Sequence, residues 1–333
     1  MSFSTNVLPL SLKNYFAQHK VQGDLPIHFA LGDNELTLNK DLVVNASPLE
    51  LVVFSDLPLD TLLELQNYCS LSINSLQAIN TRNNQTSFRF NVTCDDFSQS
   101  RKALADFALA QKIEAAVIEN APKLNQPGLL VMDMDSTTIE IECIDEIAKL
   151  AGVGEQVAAV TELAMQGDLD FSQSLHQRVA TLADAPETIL ADVAKNIPLM
   201  AGLETLVAEL KKNQWRIAIA SGGFTYFADH LKDMLALDAT FANVLEIVDG
   251  KLTGKVLGSV VDAQVKADSL KLLSDKYDIP ASQTVAMGDG ANDLIMMAAA
   301  SFGVAFHAKP IVLAQADSTI NQQGLDCLLH WLA

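Results

Sequence analysis

Asp133 and Asp135 follow the apolar run Leu129 to Met132 and differ by one position. Alternation along an extended chain points both carboxylates to the same side. Two carboxylates a few ångströms apart resist joint ionisation, so a metal or a retained proton must compensate. Either suits phosphate chemistry. One carboxylate can attack phosphorus and form an acyl phosphate. The other can protonate the leaving oxygen and then deprotonate the incoming water. Further on, Ser221-Gly222-Gly223 ends a second apolar run, Arg216 to Ala220, and precedes a helical segment from Phe224 to Leu235. A hydroxyl and two glycines at a helix start form a phosphate cradle, because free N–H groups point outward there. Lys266 lies at the start of the helical stretch Val265 to Leu273. A cation is electrostatically misplaced at that end of a helix, which implies an anionic partner elsewhere. Finally, Gly288-Asp289-Gly290-Ala291-Asn292-Asp293 follows a third apolar run. Its glycines permit a sharp turn, and Asp289 offers a hard oxygen suited to magnesium. Asn292 can hydrogen-bond a phosphate, and Asp293 can reach a metal through water or orient Lys266. Each element alone also reads as an ordinary strand end, turn or helix cap.

A dianionic phosphate facing Asp133 needs cations. Unit charges about 4 Å apart interact by roughly 4 kcal/mol at an effective dielectric near 20. A divalent ion and Lys266 would supply that neutralisation.

A second group bears on the substrate. In the segment from Asp170, a helix would place Phe171, Leu175 and Leu182 on one face, with Arg178 inside that apolar stripe. An arginine there needs an anion, and its fork suits a carboxylate. Glu142 falls in the first turn of a helix carrying Ile141, Ile144 and Ile147. It reads as a helix-dipole residue or as a binding group. One carboxylate and one guanidinium fit the amine and carboxylate of an amino-acid phosphate.

The elements that must hold these residues alternate between strand and helix. Leu129 to Met132, Arg216 to Ala220, Thr284 to Met287 and Phe302 to Ala305 read as buried parallel strands. An α/β fold with a Rossmann-like open parallel sheet follows, with ligands bound beyond the carboxyl ends of its strands. A helical cap is inserted at about Gly152 to Asn196, and Asp249-Gly250 marks a hairpin. The predicted organisation is an N-terminal arm and α+β unit over 1–120, a Pro/Gly-containing linker over 121–128, and the α/β unit with its cap over 129–333. The N-terminal order, read over Leu51 to Glu119, is strand-helix-strand-strand-helix-strand, a ferredoxin-like module. It resembles the ACT-type amino-acid-sensing domains. It reads equally as a docking or dimerisation unit, giving a homodimer through the N-terminal domain. Before it, only Ile27 to Leu31 reads as a strand.

Composition sets the outer bounds. The 333 residues exceed one ordinary core. The net charge of −19 disfavours nucleic acid and anionic membranes as partners. Cys69, Cys94, Cys143 and Cys327 show no metal-type spacing and read as buried thiols of a reducing compartment. No secretory pattern occupies Met1 to Phe16. The longest nearly unbroken apolar run, Leu294 to Phe306, is too short for a membrane span. A cytoplasmic protein is expected.

From about Leu129 to the C-terminus, the four phosphate-directed elements in this order resemble the haloacid-dehalogenase-like superfamily. The resemblance implies Asp133 as nucleophile and Asp135 as general acid/base. It implies Ser221, Gly222, Lys266 and Asn292 around the phosphate, with Thr137 and Asp293 in support. It implies one Mg²⁺ held by Asp133, Asp289 and the backbone carbonyl of Asp135. The set Glu142, Phe171 and Arg178 further resembles the bacterial phosphoserine phosphatases. That likeness implies Glu142 at the amine, Arg178 at the carboxylate and Phe171 as a shield. The activity implied is hydrolysis of O-phospho-L-serine to L-serine and phosphate, the last step of serine biosynthesis. The alternative is a related phosphatase acting on another small phosphomonoester.

Overall fold

Two sheets, joined through residues 120–128, organise the computed structural model. It describes residues 2–4, 10–18, 25–31, 35–39, 47–54, 56–165 and 169–333, with backbone alone at 2–4, 30, 35–39 and 165. The first half runs β1 (Ser2–Ser4), α1 (Leu12–Gln18), β2 (Ile27–Leu31), β3 (Glu35–Asn39), β4 (Leu49–Val53), α2 (Leu59–Tyr68), β5 (Ser72–Arg82), β6 (Gln85–Thr93), α3 (Phe97–Gln111) and β7 (Ala115–Glu119). Its strands order as β1-β3-β2-β5-β6-β4-β7, with every pairing antiparallel. The predicted strand-helix-strand-strand-helix-strand unit is β4 to β7, with order β5-β6-β4-β7. Asn83 and Asn84 both take positive φ in the β5–β6 turn, a conformation asparagine tolerates. β1 and β3 lie in the stretch the sequence left unread, and with β2 they extend the sheet beyond β5.

Alternation on β4 and β7 builds two cores. Leu51, Val53, Ala115 and Val117 face α2 and α3, where Leu62, Leu65, Leu104 and Phe107 meet them. Val52, Phe54, Ala116 and Ile118 face the other way and join the core of the second half.

That second half runs β8 (Leu129–Met132), α4 (Cys143–Leu150), α5 (Gly154–Met165), α6 (Phe171–Ala180), α7 (Thr188–Ala194), α8 (Leu203–Lys212), β9 (Arg216–Phe224), α9 (Thr225–Leu235), β10 (Ala239–Val248), β11 (Lys251–Leu257), α10 (Ala263–Lys276), β12 (Thr284–Gly288), α11 (Leu294–Ala299), β13 (Phe302–Phe306), α12 (Pro310–Leu313), β14 (Ser318–Ile320) and α13 (Leu328–Trp331). The strand order is β11-β10-β9-β8-β12-β13-β14. All pairings are parallel except β10–β11, the predicted hairpin, where Val248 pairs with Lys251 and Asp249 and Gly250 both have positive φ. Every residue of β8, β12 and β13 is buried. These strands are therefore continuous apolar runs rather than alternating ones. The helical insertion appears as α5, α6 and α7. Asp170 caps α6 with Gln173 in a reciprocal capping box.

Three local expectations shift. α9 begins at Thr225, and Ser221-Gly222-Gly223 belongs to β9, because β10 pairs with it as far as Phe224 after a bulge. α6 ends at Ala180, so buried Leu182 packs from beyond the helix. Cys94 is only half-buried, unlike the other three thiols, and all four are free.

Residues 121–128 are laced to the second half. Leu124 N donates to Ala333 O, Ala333 N to Pro122 O, and Trp215 Nε1 to Leu124 O. The C-terminal turn in turn lies on the N-terminal sheet. Arg89 Nη2 donates to the carbonyls of His330, Trp331 and Leu332, and Arg82 to those of Leu329 and Leu332. These are carbonyls left without intrahelical partners at a helix end. His330 Nδ1 lies 2.9 Å from Ser87 Oγ, and its ring packs edge-on to Phe54. Among the described residues, no helix is long and apolar enough to cross a membrane.

Candidate active site

β8 lies between β9 and β12, so its carboxyl end has a neighbour on each side. Asp133 N donates to Met287 O at 2.9 Å and carries the pairing one residue past the strand. The chain then turns sharply: the N–H groups of Thr137, Thr138 and Ile139 all donate to Met134 O, and Ser136 takes a φ of 56°. Thr138 Oγ1 donates to Asp133 O at 2.5 Å. The turn thus presents Asp133 and Asp135 at the mouth of the sheet.

Asp133 is 6% exposed, and its Oδ1 accepts from Met134 N at 2.7 Å. Its Oδ2 lies 2.9 Å from Lys266 Nζ, which also donates to Asp293 Oδ1 at 2.7 Å. Lys266 has no exposed surface. Burial alone would lower its pKa, but Asp133 and Asp293 outweigh that and hold it above the ordinary value. Lys266 sits one turn into α10, whose N-terminus is capped by Asp262. The anionic partner expected for it is this pair of carboxylates. Asp293 Oδ2 accepts from Gly290 N at 3.0 Å, closing the turn after β12.

Asp135 is pushed up to about 8, first by burial and then by Glu142 and Asp133. Near neutral pH its carboxyl keeps a proton. Asp289 is also raised, by burial and then Asp133, with Lys309 and Thr137 opposing. Thr137 Oγ1 donates to Asp289 Oδ1 at 3.3 Å.

Carboxylate oxygens of Asp133, Asp289 and Asp293 all lie within 4.8 Å of one another. Three acidic groups share one buried cation there, and hard oxygens in that density suit a small divalent ion. Asp293 is fully buried and does not line the cavity, whereas Asp133 and Asp289 do, so those two are the donors an ion in the cavity would reach.

The glycines of the cradle are set by close approach. A methyl group on Gly222 would lie 2.5 Å from Phe171 Cζ, and one on Gly223 would lie 2.7 Å from Met134 Cε and 3.0 Å from Asp135 Oδ2. Ser221 Oγ accepts from Gly223 N at 2.9 Å. Phe171 of the cap therefore rests directly on the cradle.

A cavity of about 190 Å³ joins these parts. Asp133, Asp135, Glu142, Phe171, Arg178, Ser221, Gly222, Asp289 and Asn292 line it, all of them expected from the sequence. Lys266, Asp293 and Thr137 stand behind that wall as buried supports. Arg178 lines the cap side with its Nε buried and without a hydrogen-bond partner. Burial lowers its pKa, while Asp145, Glu142 and Asp135 act to raise it. Glu142 occupies the position before α4 rather than its first turn. It makes no cap bond and instead accepts from Ser136 Oγ at 2.8 Å.

Sequence reasoning missed Asn243 and Lys309. Asn243, 2% exposed on β10, donates from Nδ2 to Gly222 O and accepts from Val261 N at Oδ1, both at 2.8 Å. A lone asparagine inside an apolar strand was the available signal. Lys309 lines the cavity beside Asp289. It precedes Pro310 just beyond a parallel strand, the same kind of position that singled out the other site residues.

Residues 128–301 match the haloacid dehalogenase-like hydrolase family. The chain is 61% identical over 216 residues to the phosphoserine phosphatase of Vibrio cholerae, a match covering 65% of this chain and 66% of that one. It is 58% identical over 222 residues to the phosphoserine phosphatase of Haemophilus influenzae, covering 67% and 71%. The solved unliganded structure of a probable phosphoserine phosphatase from Vibrio cholerae superposes with a TM-score of 0.72 at 46% identity, over 87% of this chain and 88% of that one. The chain belongs to the haloacid dehalogenase-like hydrolases, within their phosphoserine phosphatases.

Proposed function

We propose that this chain hydrolyses O-phospho-L-serine to L-serine and phosphate through an acyl phosphate on Asp133, as the last step of serine biosynthesis in the cytoplasm. The observation that carries the substrate choice is Arg178. It is a guanidinium with an unpartnered buried Nε, in the same cavity as Asp133 and Asp135. A buried donor without a partner is costly, and a ligand carboxylate would supply the missing acceptor. Glu142 lines the same cavity and offers its carboxylate to the ammonium of an amino acid.

The steps follow from what each group can do. Ser221 Oγ, the Gly222 N–H and Asn292 hold the phosphate oxygens. Lys266 holds Asp133 in place through the contact to its Oδ2. Asp133 attacks phosphorus, the bond from phosphorus to the serine oxygen breaks, and the Asp135 proton passes to that oxygen. With serine gone, Asp135, now a carboxylate, takes a proton from water as the water oxygen attacks phosphorus. The bond to Asp133 breaks and phosphate leaves. Phe171, resting on Gly222, keeps bulk water from the acyl phosphate until serine has departed. Asp133, Asp289 and the main-chain carbonyl of Asp135 would hold one Mg²⁺, which when bound offsets the charge of the phosphate.

The N-terminal unit is proposed to be ACT-like and to mediate a homodimer. Since β4 and β7 already bury their second face against the rest of the chain, such a dimer would use a sheet edge or the helical face. Phosphate release across a panel of amino-acid and sugar phosphates, with and without Mg²⁺, tests the reading. Phosphoserine should be the preferred substrate and activity should require the ion. Preference for a sugar phosphate would overturn the assignment.

A further inference from the structure

The N-terminal unit holds a turn of the second half through one carboxylate. Glu114, immediately before β7, is 1% exposed. Its Oε1 accepts the backbone N–H groups of Asn321, Gln322 and Gln323, the turn that follows β14. A carboxylate holding three successive N–H groups fixes the path of that turn. The turn in its place grips His307. His307 N donates to Ile320 O, and His307 Nε2 lies 2.9 Å from Gln323 O. His307 follows β13 with a φ of 44°, in the left-handed region that residues with a side chain adopt uncommonly. Two residues on, Lys309 N donates to the main-chain oxygen of Asp289 at 3.2 Å. Arg178 and Lys309 are the cations among the residues lining the cavity. With Arg178 on the cap and suited to a carboxylate, Lys309 is the lining cation left to meet an incoming phosphate among several carboxylates.

We propose that Glu114 is a positioning residue of the N-terminal unit. Through the 321–323 turn and His307 it holds Lys309 at the mouth of the site, where the ammonium draws in the substrate's phosphate dianion. This rests on the reading of the site as a phosphomonoesterase. Its consequence is that the N-terminal unit contributes to substrate capture without touching substrate.

The test is steady-state kinetics of the full chain on phosphoserine with Lys309→Ala, Glu114→Ala, Glu114→Gln, the Lys309→Ala/Glu114→Ala double variant, and Arg101→Ala. The last breaks the Arg101–Asp317 contact between the same two halves, away from the 307–309 loop. Lys309→Ala and Glu114→Ala should each raise KM about tenfold, with kcat within about twofold. The double variant should be no worse than Lys309→Ala, because both act through one ammonium. Glu114→Gln keeps an acceptor oxygen and should fall between, and Arg101→Ala should keep the wild-type KM. An unchanged KM in Glu114→Ala, effects that multiply, or an equal rise in Arg101→Ala would overturn the proposal. Should Glu114→Ala not fold, Glu114→Gln decides, with a wild-type KM counting against. If the unmodified chain shows no phosphoserine hydrolysis, the functional reading fails separately. Hydrogen exchange at residues 307–309 then judges the positioning. Faster exchange in Glu114→Gln than in Arg101→Ala supports it, and equal exchange refutes it.

Discussion

Lys266 Nζ lies 2.9 Å from Asp133 Oδ2, and neither side chain is more than 8% exposed. An ammonium so deeply buried keeps its charge because Asp133 and Asp293 both face it. Removing one partner of such a group is strongly destabilising, by about 3–5 kcal/mol, since charges are left uncompensated. Lys266→Met should therefore lower the denaturation midpoint as well as cut kcat by about 10²–10³. Urea melts and steady-state rates on the same preparation check both. A full-rate Lys266→Met would remove the lysine from the scheme.

Phe171 and Gly222 are coupled by contact. Gly222→Ala puts a methyl group where the phenyl ring lies and should force the cap away from the cradle. kcat/KM should fall about tenfold or more. Removing the ring relieves the clash, so adding Gly222→Ala to Phe171→Ala should cost less than adding it to the wild type. A double-mutant cycle on kcat/KM reads this directly.

Asn243 should matter without contacting substrate. Asn243→Ala leaves Gly222 O and Val261 N without their partner. Each unsatisfied buried group costs about 1–3 kcal/mol. Lower stability together with reduced kcat/KM is expected, measured by thermal melting and phosphate release. Asn243→Asp keeps only the acceptor for Val261 and should restore only part of the loss.

His330 gives the contact between the halves a pH dependence. Burial, then Arg82 and Arg89, lower its pKa to about 4 from 6.5. Below about 6.5 the unfolded chain binds a proton that the folded chain refuses, so this stability is present above that pH. It is lost as pH falls towards about 4, by about 3 kcal/mol in all. Urea melts at pH 7 and pH 5 should show the wild type losing more stability than His330→Gln over the same step. Equal losses would show that the imidazole is not held neutral.

The parts of the fold that were legible in the sequence are those fixed by local pattern. β8, β12 and β13 are short apolar runs because both faces of the sheet are covered. Each delivers its polar residues in the turn that follows, so Asp133 and Asp289 could be named from position alone. Local pattern puts Ser221-Gly222-Gly223 at a helix start, because nothing local reveals that β10 continues to pair alongside it. Local pattern puts Glu142 inside a helix, because its tie to Ser136 depends on the path of the turn. The grip of Arg82, Arg89 and Glu114 on the C-terminal segment spans more than 200 positions and leaves no periodic trace. Asn243 carried a signal, a buried amide in an apolar strand, whose partner only the folded chain identifies.

In the proposed mechanism phosphorus is bound to Asp133 during turnover. Acid quenching of the chain during hydrolysis of radiolabelled phosphoserine, followed by peptide mapping, addresses it most directly. An acid-stable, hydroxylamine-labile label is expected on the peptide containing Asp133 and absent from Asp133→Asn, which should also be inactive. Undiminished turnover by Asp133→Asn, or a label on a different side chain, would contradict it.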